Sequence, residues 1–275
     1  MNYKRVLTIQ DISCVGQCSL TVALPIISAC GIETAVLPSA VLSTHTAFSG
    51  YTFRDLTDDI PKIAAHWEKE NIKFDAIYTG YLGSTRQIDL VAYIIATAGK
   101  EGCIKVVDPA MADSGKLYSG FDLEYVSAMR VLCAKADYVL PNITEACFLT
   151  GIEYKTEYDR DYIDLLLGKL SEMGCKNIIL TGVSYSPFKT GIVVYENSEY
   201  SYYEHELLPI VCHGTGDIFA SAFVGALLRG KSTYHAAKIA GDFAVECIKA
   251  TADDKSHWYG AKFEPVLGML ISALD

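Results

Sequence analysis

An α/β fold with a mostly parallel central sheet is what this sequence predicts, on two observations. Short β-rich runs alternate with longer segments of helical periodicity along the 275 residues. Near the C-terminal third, two adjacent runs alternate apolar and polar residues, the pattern of a hairpin at a sheet edge.

Val6-Leu7-Thr8-Ile9 is the first buried strand. Segment 19–30 reads as a helix stopped by Gly31, and 34–37 as the second strand, followed by a polar loop. Segment 60–71 is amphipathic, with Ile63, Ala64 and Trp67 on one face. Residues 75–79 form a strand running into Gly80, and 88–98 a helix closed by Gly99. The strand 104–109 ends on proline, and a helix over 123–134 leads to the strand 138–141. Helix 162–173 precedes strand 177–182. The hairpin strands lie around 191–195 and 200–206. Three helices, 217–229, 234–250 and 263–274, complete the chain. No repeat or low-complexity stretch divides it, so one domain over 1–275 is expected.

The ends of these strands carry polar residues: Gln10 and Asp11, Tyr81, Asp108, Asn142 and Thr181. Ligands of open α/β sheets sit beyond the carboxyl ends of the strands, so several polar ends at one rim point to a site. Asp217 joins them from the turn after the hairpin. There, Gly214-Thr215-Gly216-Asp217 opens an apolar-periodic helix. A glycine-rich turn into a helix N-terminus presents unpartnered N–H groups and the positive dipole end, an anion site. Asp217 is a carboxylate placed where an anion should bind. Two readings remain open on these residues alone: a first-turn acid that caps the helix, or a general base beside a held phosphoryl group.

Gly225-Ala226-Leu227-Leu228-Arg229-Gly230-Lys231-Ser232 fits the spacing of a P-loop. A P-loop needs a strand before it and a helix after it. Gly225 instead falls inside the helix that begins at Asp217. Gly230 then ends that helix and Ser232 caps the next, so the match is a coincidence. No G-x-G-x-x-G follows the first strand, which leaves a dinucleotide fold unsupported.

A net charge of −10 argues against nucleic acid as a partner, since no basic cluster exists to replace phosphate counterions. Nine cysteines lack any C-x-x-C pair, and Cys30, Cys103, Cys175 and Cys247 lie in apolar runs, as buried thiols of a reducing cytoplasm do. Neither a secretory leader nor a membrane span is expected.

Several motifs together resemble the ribokinase superfamily, in its vitamin B6 kinase branch, over almost the full length. They are Gly214-Thr215-Gly216-Asp217, Asp108-Pro109-Ala110-Met111-Ala112-Asp113, Pro141-Asn142-Ile143-Thr144-Glu145 and Thr181-Gly182. Ile9-Gln10, Ser43-Thr44-His45-Thr46 and Gly80-Tyr81-Leu82-Gly83-Ser84 are similar to the B6 branch in particular. The resemblance implies a three-layer α/β/α ribokinase-like fold. It also implies ATP-dependent phosphorylation of the 5′-hydroxymethyl group of pyridoxamine, pyridoxal or pyridoxine. Asp217 would be the base and the amides of Gly214, Thr215 and Gly216 the anion hole. Asp108, Asp113, Asn142, Thr181 and Thr215 would serve ATP, and Glu145 with Asn142 would hold Mg²⁺, largely through water. Asp11, His45, Thr46 and Tyr81 would face the vitamer. A homodimer and a response to K⁺ are further implications.

Asp11 stands where B6 kinases carry a serine, and an anion there favours a substrate bearing an ammonium group. Leu140 and Ala112 also depart from the pattern, which usually has threonine and glycine. Residues 113–120, rich in glycine and serine, read either as a mobile flap or as a passive surface loop. Two other functions fit parts of the same set: a hydroxymethylpyrimidine kinase, and a nucleotide- or vitamer-binding regulator without catalysis.

Overall fold

The computed structural model describes residues 3–275. Nine strands make one sheet: β1 (Arg5–Ser13), β2 (Glu33–Leu42), β3 (Phe53–Asp55), β4 (Phe74–Thr79), β5 (Gly99–Val107), β8 (Tyr138–Val139), β9 (Asn177–Ser186), β10 (Lys189–Glu196) and β11 (Glu199–Glu206). Two short strands, β6 (Ala112–Asp113) and β7 (Lys116–Leu117), form a separate hairpin. The order across the sheet is β11-β10-β9-β8-β5-β4-β1-β2-β3. The six strands from β9 to β2 run parallel, and antiparallel β10, β11 and β3 form the edges.

Helices α2 (Ile60–Lys69), α3 (Thr85–Thr97), α4 (Leu123–Cys133), α5 (Ile143–Thr150) and α6 (Arg160–Glu172) cover one face. Helices α1 (Leu20–Ala29), α7 (Thr215–Leu228), α8 (Thr233–Thr251) and α9 (Leu267–Leu274) cover the other. Successive side chains of the central strands feed opposite cores: Leu7, Ile77 and Val107 pack one way, Val6, Ala76 and Val106 the other. That two-sided burial is why these strands are apolar runs and not alternating ones. The architecture is the three-layer α/β/α sandwich expected.

The differences from the sequence reading have local causes. β2 runs on to Leu42, past Pro38, because β1 pairs with it as far as Ser13. β3 is exposed throughout and has no period to betray it. Gly99 opens β5 rather than closing α3, whose last cap is Ala98. Helix α5 was not expected as an element. Residues 113–120 contain a hairpin pinned to α5, where the Gly115 N–H donates to Thr144 Oγ1 at 3.0 Å. All nine cysteines are free thiols, and Cys103 is half-buried rather than buried. Among the described residues no helix is long and apolar enough to cross a membrane.

Gly225 lies inside α7, as the helical reading required. A methyl group there would overlap the Cys30 thiol and come within 2.9 Å of Cys30 Cβ on α1. Gly225→Ala is therefore expected to cost about 1–3 kcal/mol in denaturant unfolding while leaving KM for ATP unchanged. A P-loop would give the opposite pair of results.

Candidate active site

Strand register places the polar ends together. Thr8 of β1, Tyr78 of β4 and Val106 of β5 are neighbours in the sheet, so Gln10, Gly80 and Asp108, two residues on, share the next row. In parallel strands this row lies on the α7 face with Tyr78 and Val106. Asn142 and Thr181 are bridged beside it. Thr181 is not at a strand end: parallel pairing stops there, and β9 continues as the partner of β10.

Asp217 faces this row from the first turn of α7. The N-cap is Gly214 at φ 77°, where a Cβ would overlap the Gln17 carbonyl oxygen; only glycine fits. Asp217 is half-buried, and burial raises its carboxyl to about 7, with the Asp11 charge adding and the Ser19 N–H partly opposing. A carboxylate this poised takes up a proton near neutrality, which suits a general base. Thr215 Oγ1 donates to the Cys212 carbonyl at 3.4 Å.

The β1–β2 register slips between Gln10 and Ile12, a bulge at Asp11. Asp11 is only 5% exposed, accepts the Ser13 hydroxyl at 3.0 Å, and is held by the Ser19 hydroxyl as well. Burial pushes its pKa up, against those bonds and the nearby His45. Ser19 thus serves both acids, its N–H toward Asp217 and its hydroxyl toward Asp11. It does so at φ 52°, a left-handed conformation that costs serine about 1 kcal/mol or more. Nothing in the sequence marked Ser19, since strain is invisible there.

Tyr81 is half-buried with its ring stacked on Phe121 at 5.5 Å, close enough to Asp11 for that charge to raise its hydroxyl, behind the larger effect of burial. Thr46 is exposed on the neighbouring loop. His45 is differently employed: Nδ1 accepts the Ala47 N–H at 3.1 Å, so Nε2 carries the proton and donates to the Tyr259 carbonyl at 2.8 Å. Both ring nitrogens are spent on backbone, which leaves only the ring itself to offer a ligand. Burial, followed by His213, lowers its pKa in keeping with a neutral ring.

On the far side, Asn142 and Glu145 form a capping box for α5. Asn142 Oδ1 accepts the Glu145 N–H, and Glu145 Oε2 accepts the Asn142 N–H, each at 2.9 Å. Asn142 Nδ2 donates to the Ala112 carbonyl at 2.9 Å, and Glu145 Oε1 accepts the Met111 N–H at 3.0 Å. These side chains brace the 109–112 turn against α5, so direct ligation of a metal is not what they are arranged for. Asp108 accepts the Ala110 N–H at 3.1 Å and is pushed well above the usual carboxylate range by burial, then by the charges of Glu145 and Asp217. Asp113 is exposed, its carboxylate turned onto the Ser114 N–H at 2.7 Å. Tyr118, unmarked by any motif, comes within reach of Glu145, Asp108, Asp113 and Asp217, whose charges add to burial in raising its hydroxyl.

The family model described as phosphomethylpyrimidine kinase matches residues 34–263. A pyridoxal kinase of Dictyostelium discoideum is 28% identical over 82% of this chain and 78% of its own. A candidate phosphomethylpyrimidine kinase from Bacteroides thetaiotaomicron, crystallised with pyridoxal, is 39% identical with a TM-score of 0.93, covering 98% of this chain and 96% of that one. Pyridoxal kinase from Lactobacillus plantarum is 30% identical with a TM-score of 0.89, over 98% and 97%. With its motifs assembled at one rim of the expected sandwich, the chain belongs to the phosphomethylpyrimidine kinase family of the ribokinase superfamily.

Proposed function

We propose that this protein transfers the γ-phosphoryl group of ATP to the 5′-hydroxymethyl group of a vitamin B6 vitamer. The observation that carries the reading is Asp217, poised near neutrality beside the 214–216 amides and facing the polar row of the sheet. The pyridoxal-containing relative supports the substrate class.

In this mechanism Asp217 orients the vitamer hydroxyl and accepts its proton. The N–H groups of Gly214, Thr215 and Gly216 stabilise charge on the transferring group. Thr181, whose Oγ1 donates weakly to the Pro141 carbonyl at 3.4 Å, would turn its hydroxyl to phosphate oxygens, and Tyr118 follows the hairpin near the acids. Tyr81 packs beside the vitamer ring, while His45 holds its loop in place. Among the described residues no three His, Cys, Asp or Glu side chains converge into a cage for an ion. A carboxyl cluster of Asp108 and Glu145, both raised by burial, with the Glu145 charge adding at Asp108 and the Asp113 charge at Glu145, fits a hard cation that keeps water and phosphate as its main ligands. Mg²⁺ so placed would neutralise phosphate charge. A homodimer, a cytoplasmic location and a response to K⁺ belong to the same proposal.

The test is a panel of pyridoxamine, pyridoxal, pyridoxine and hydroxymethylpyrimidine with ATP and Mg²⁺. Hydroxymethylpyrimidine as the best substrate would favour the second reading, which a Bacillus subtilis hydroxymethylpyrimidine/phosphomethylpyrimidine kinase, 27% identical, keeps in view. Binding of ATP and vitamer without product would favour a regulator. Within the panel, Asp11→Ser is expected to lower the pyridoxamine-to-pyridoxal ratio of kcat/KM about tenfold, the worth of one hydrogen bond to a charged group. An unchanged ratio would remove Asp11 from recognition.

A further inference from the structure

The turn that presents the 214–216 amides is not held by its own helix alone. Backbone 16–18, between β1 and α1, is wedged between two glycines distant in sequence. A Cβ on Gly214 would overlap the Gln17 carbonyl oxygen, and one on Gly260 would overlap Gln17 Cβ and come within 2.9 Å of Gln17 N. Gly260 belongs to the loop 252–263, which is tied to both neighbours of the site. The Ala261 N–H donates to the His213 carbonyl at 3.1 Å, one residue before the amide cradle. The Tyr259 carbonyl accepts His45 Nε2–H at 2.8 Å, and the His45 N–H donates to Val15 at 3.1 Å. Gln17 Nε2 donates to Glu264 at 2.9 Å. On the outer side Phe48 and Trp258 pack with ring centroids 4.5 Å apart. Ala261 and Phe263 are buried at the base of the loop.

We propose that this C-terminal loop is a brace that sets the position of the anion-binding turn, with Gly260 as its positioning residue. Three segments meet here, and the missing side chains at 214 and 260 let them close to backbone distance. A shift of the loop would carry His213 with it and move the amides away from where phosphoryl charge develops. The proposal rests on the reading of Asp217 and the amides as the transfer machinery, and adds a part that touches neither substrate. Gly260 takes no left-handed φ, so its replacement tests crowding alone.

The experiment is Gly260→Ala in the full chain, with Gly268→Ala as control, since a Cβ at the exposed Gly268 of α9 meets open space. Misplaced amides predict that kcat falls about ten- to a hundredfold while KM for ATP and pyridoxal stays within about threefold. Adding Gln17→Gly removes the side-chain atoms that overlap and leaves the 2.9 Å approach to the backbone N, so it should restore part of the lost kcat even though it gives up the bond to Glu264, whereas a merely unstable loop would gain nothing. Wild-type kcat in Gly260→Ala, or an equal loss in Gly268→Ala, would overturn the brace. If Gly260→Ala does not fold, Phe48→Ala decides, because it loosens the Phe48–Trp258 clasp without adding atoms. A reduced kcat at unchanged KM supports the proposal, and an unchanged kcat overturns it. Asp217→Asn, assayed in parallel, reports separately on the transfer reading itself.

Discussion

Asp217→Asn is expected to fold and bind both substrates while turning over about a thousandfold more slowly, the upper part of what a positioned base contributes. Asparagine keeps the shape and still accepts the Ser19 N–H, so only proton acceptance is lost. Two pH measurements sharpen the expectation. Wild-type kcat should rise with pH through about 7, where the carboxyl ionises, and this limb should vanish in the variant. Stability should move the other way. The folded chain holds the Asp217 proton more tightly than the unfolded chain, whose value is near 3.8. The benefit of that proton is full below the unfolded value and lost as pH rises through the folded one. At pH 8 the wild type carries a crowded carboxylate that asparagine replaces with a neutral amide. The variant should then be more stable by about 1–2 kcal/mol, once solvent screening of a half-buried group is allowed for. Greater stability with lost turnover is the signature of a site strained for function. An active variant, or one less stable at pH 8, would contradict the assignment.

Glu145→Ala is expected to be the most destabilising change at the site. Glu145 is 3% exposed, and its two oxygens accept the Met111 and Asn142 N–H groups. Alanine strands both donors in a dry environment and dismantles the cap of α5, at about 2–5 kcal/mol. Chemical denaturation reads this directly. Glu145→Gln should lose less, since one carbonyl oxygen still accepts, although its amide must turn N–H against N–H at the other. Turnover should fall in both, because the 109–112 turn follows directly on Asp108 and leads into the hairpin that precedes Tyr118. Full stability in Glu145→Ala would mean that the brace is made elsewhere.

Much of this molecule was legible beforehand for physical reasons. Strands buried on two faces are apolar runs, and helices such as α6 and α8 carry a 3.6-residue stripe and an N-cap, Asp159 and Ser232, whose side chains accept first-turn N–H groups. The false P-loop was resolved by its context, a helix where a strand was needed. What escaped was short or unperiodic. β3 has three exposed residues, and β6 and β7 two each. α5, at eight residues, is nearly all buried and so lacks an amphipathic stripe. Its capping box was nonetheless in view at Asn142 and Glu145, which on their own residues read as a cap with its first-turn acid and through the family resemblance as a metal and ATP site.

By itself the sequence determined the α/β class with its mostly parallel sheet, the glycine-rich entry to α7 and the inventory of acids, because periodicity and turn chemistry are local properties. Only tertiary structure decided which of those acids meet. The bulge at Asp11, the strained Ser19 and the junction of residues 16–18 with Gly214 and Gly260 depend on register and on contacts between segments up to 247 residues apart, as Gln17 and Glu264 are. The same contacts gave both ring nitrogens of His45 backbone partners and brought Tyr118 near the carboxylates. Burial and charge proximity, which set the protonation of Asp217, exist only once the chain has closed on itself.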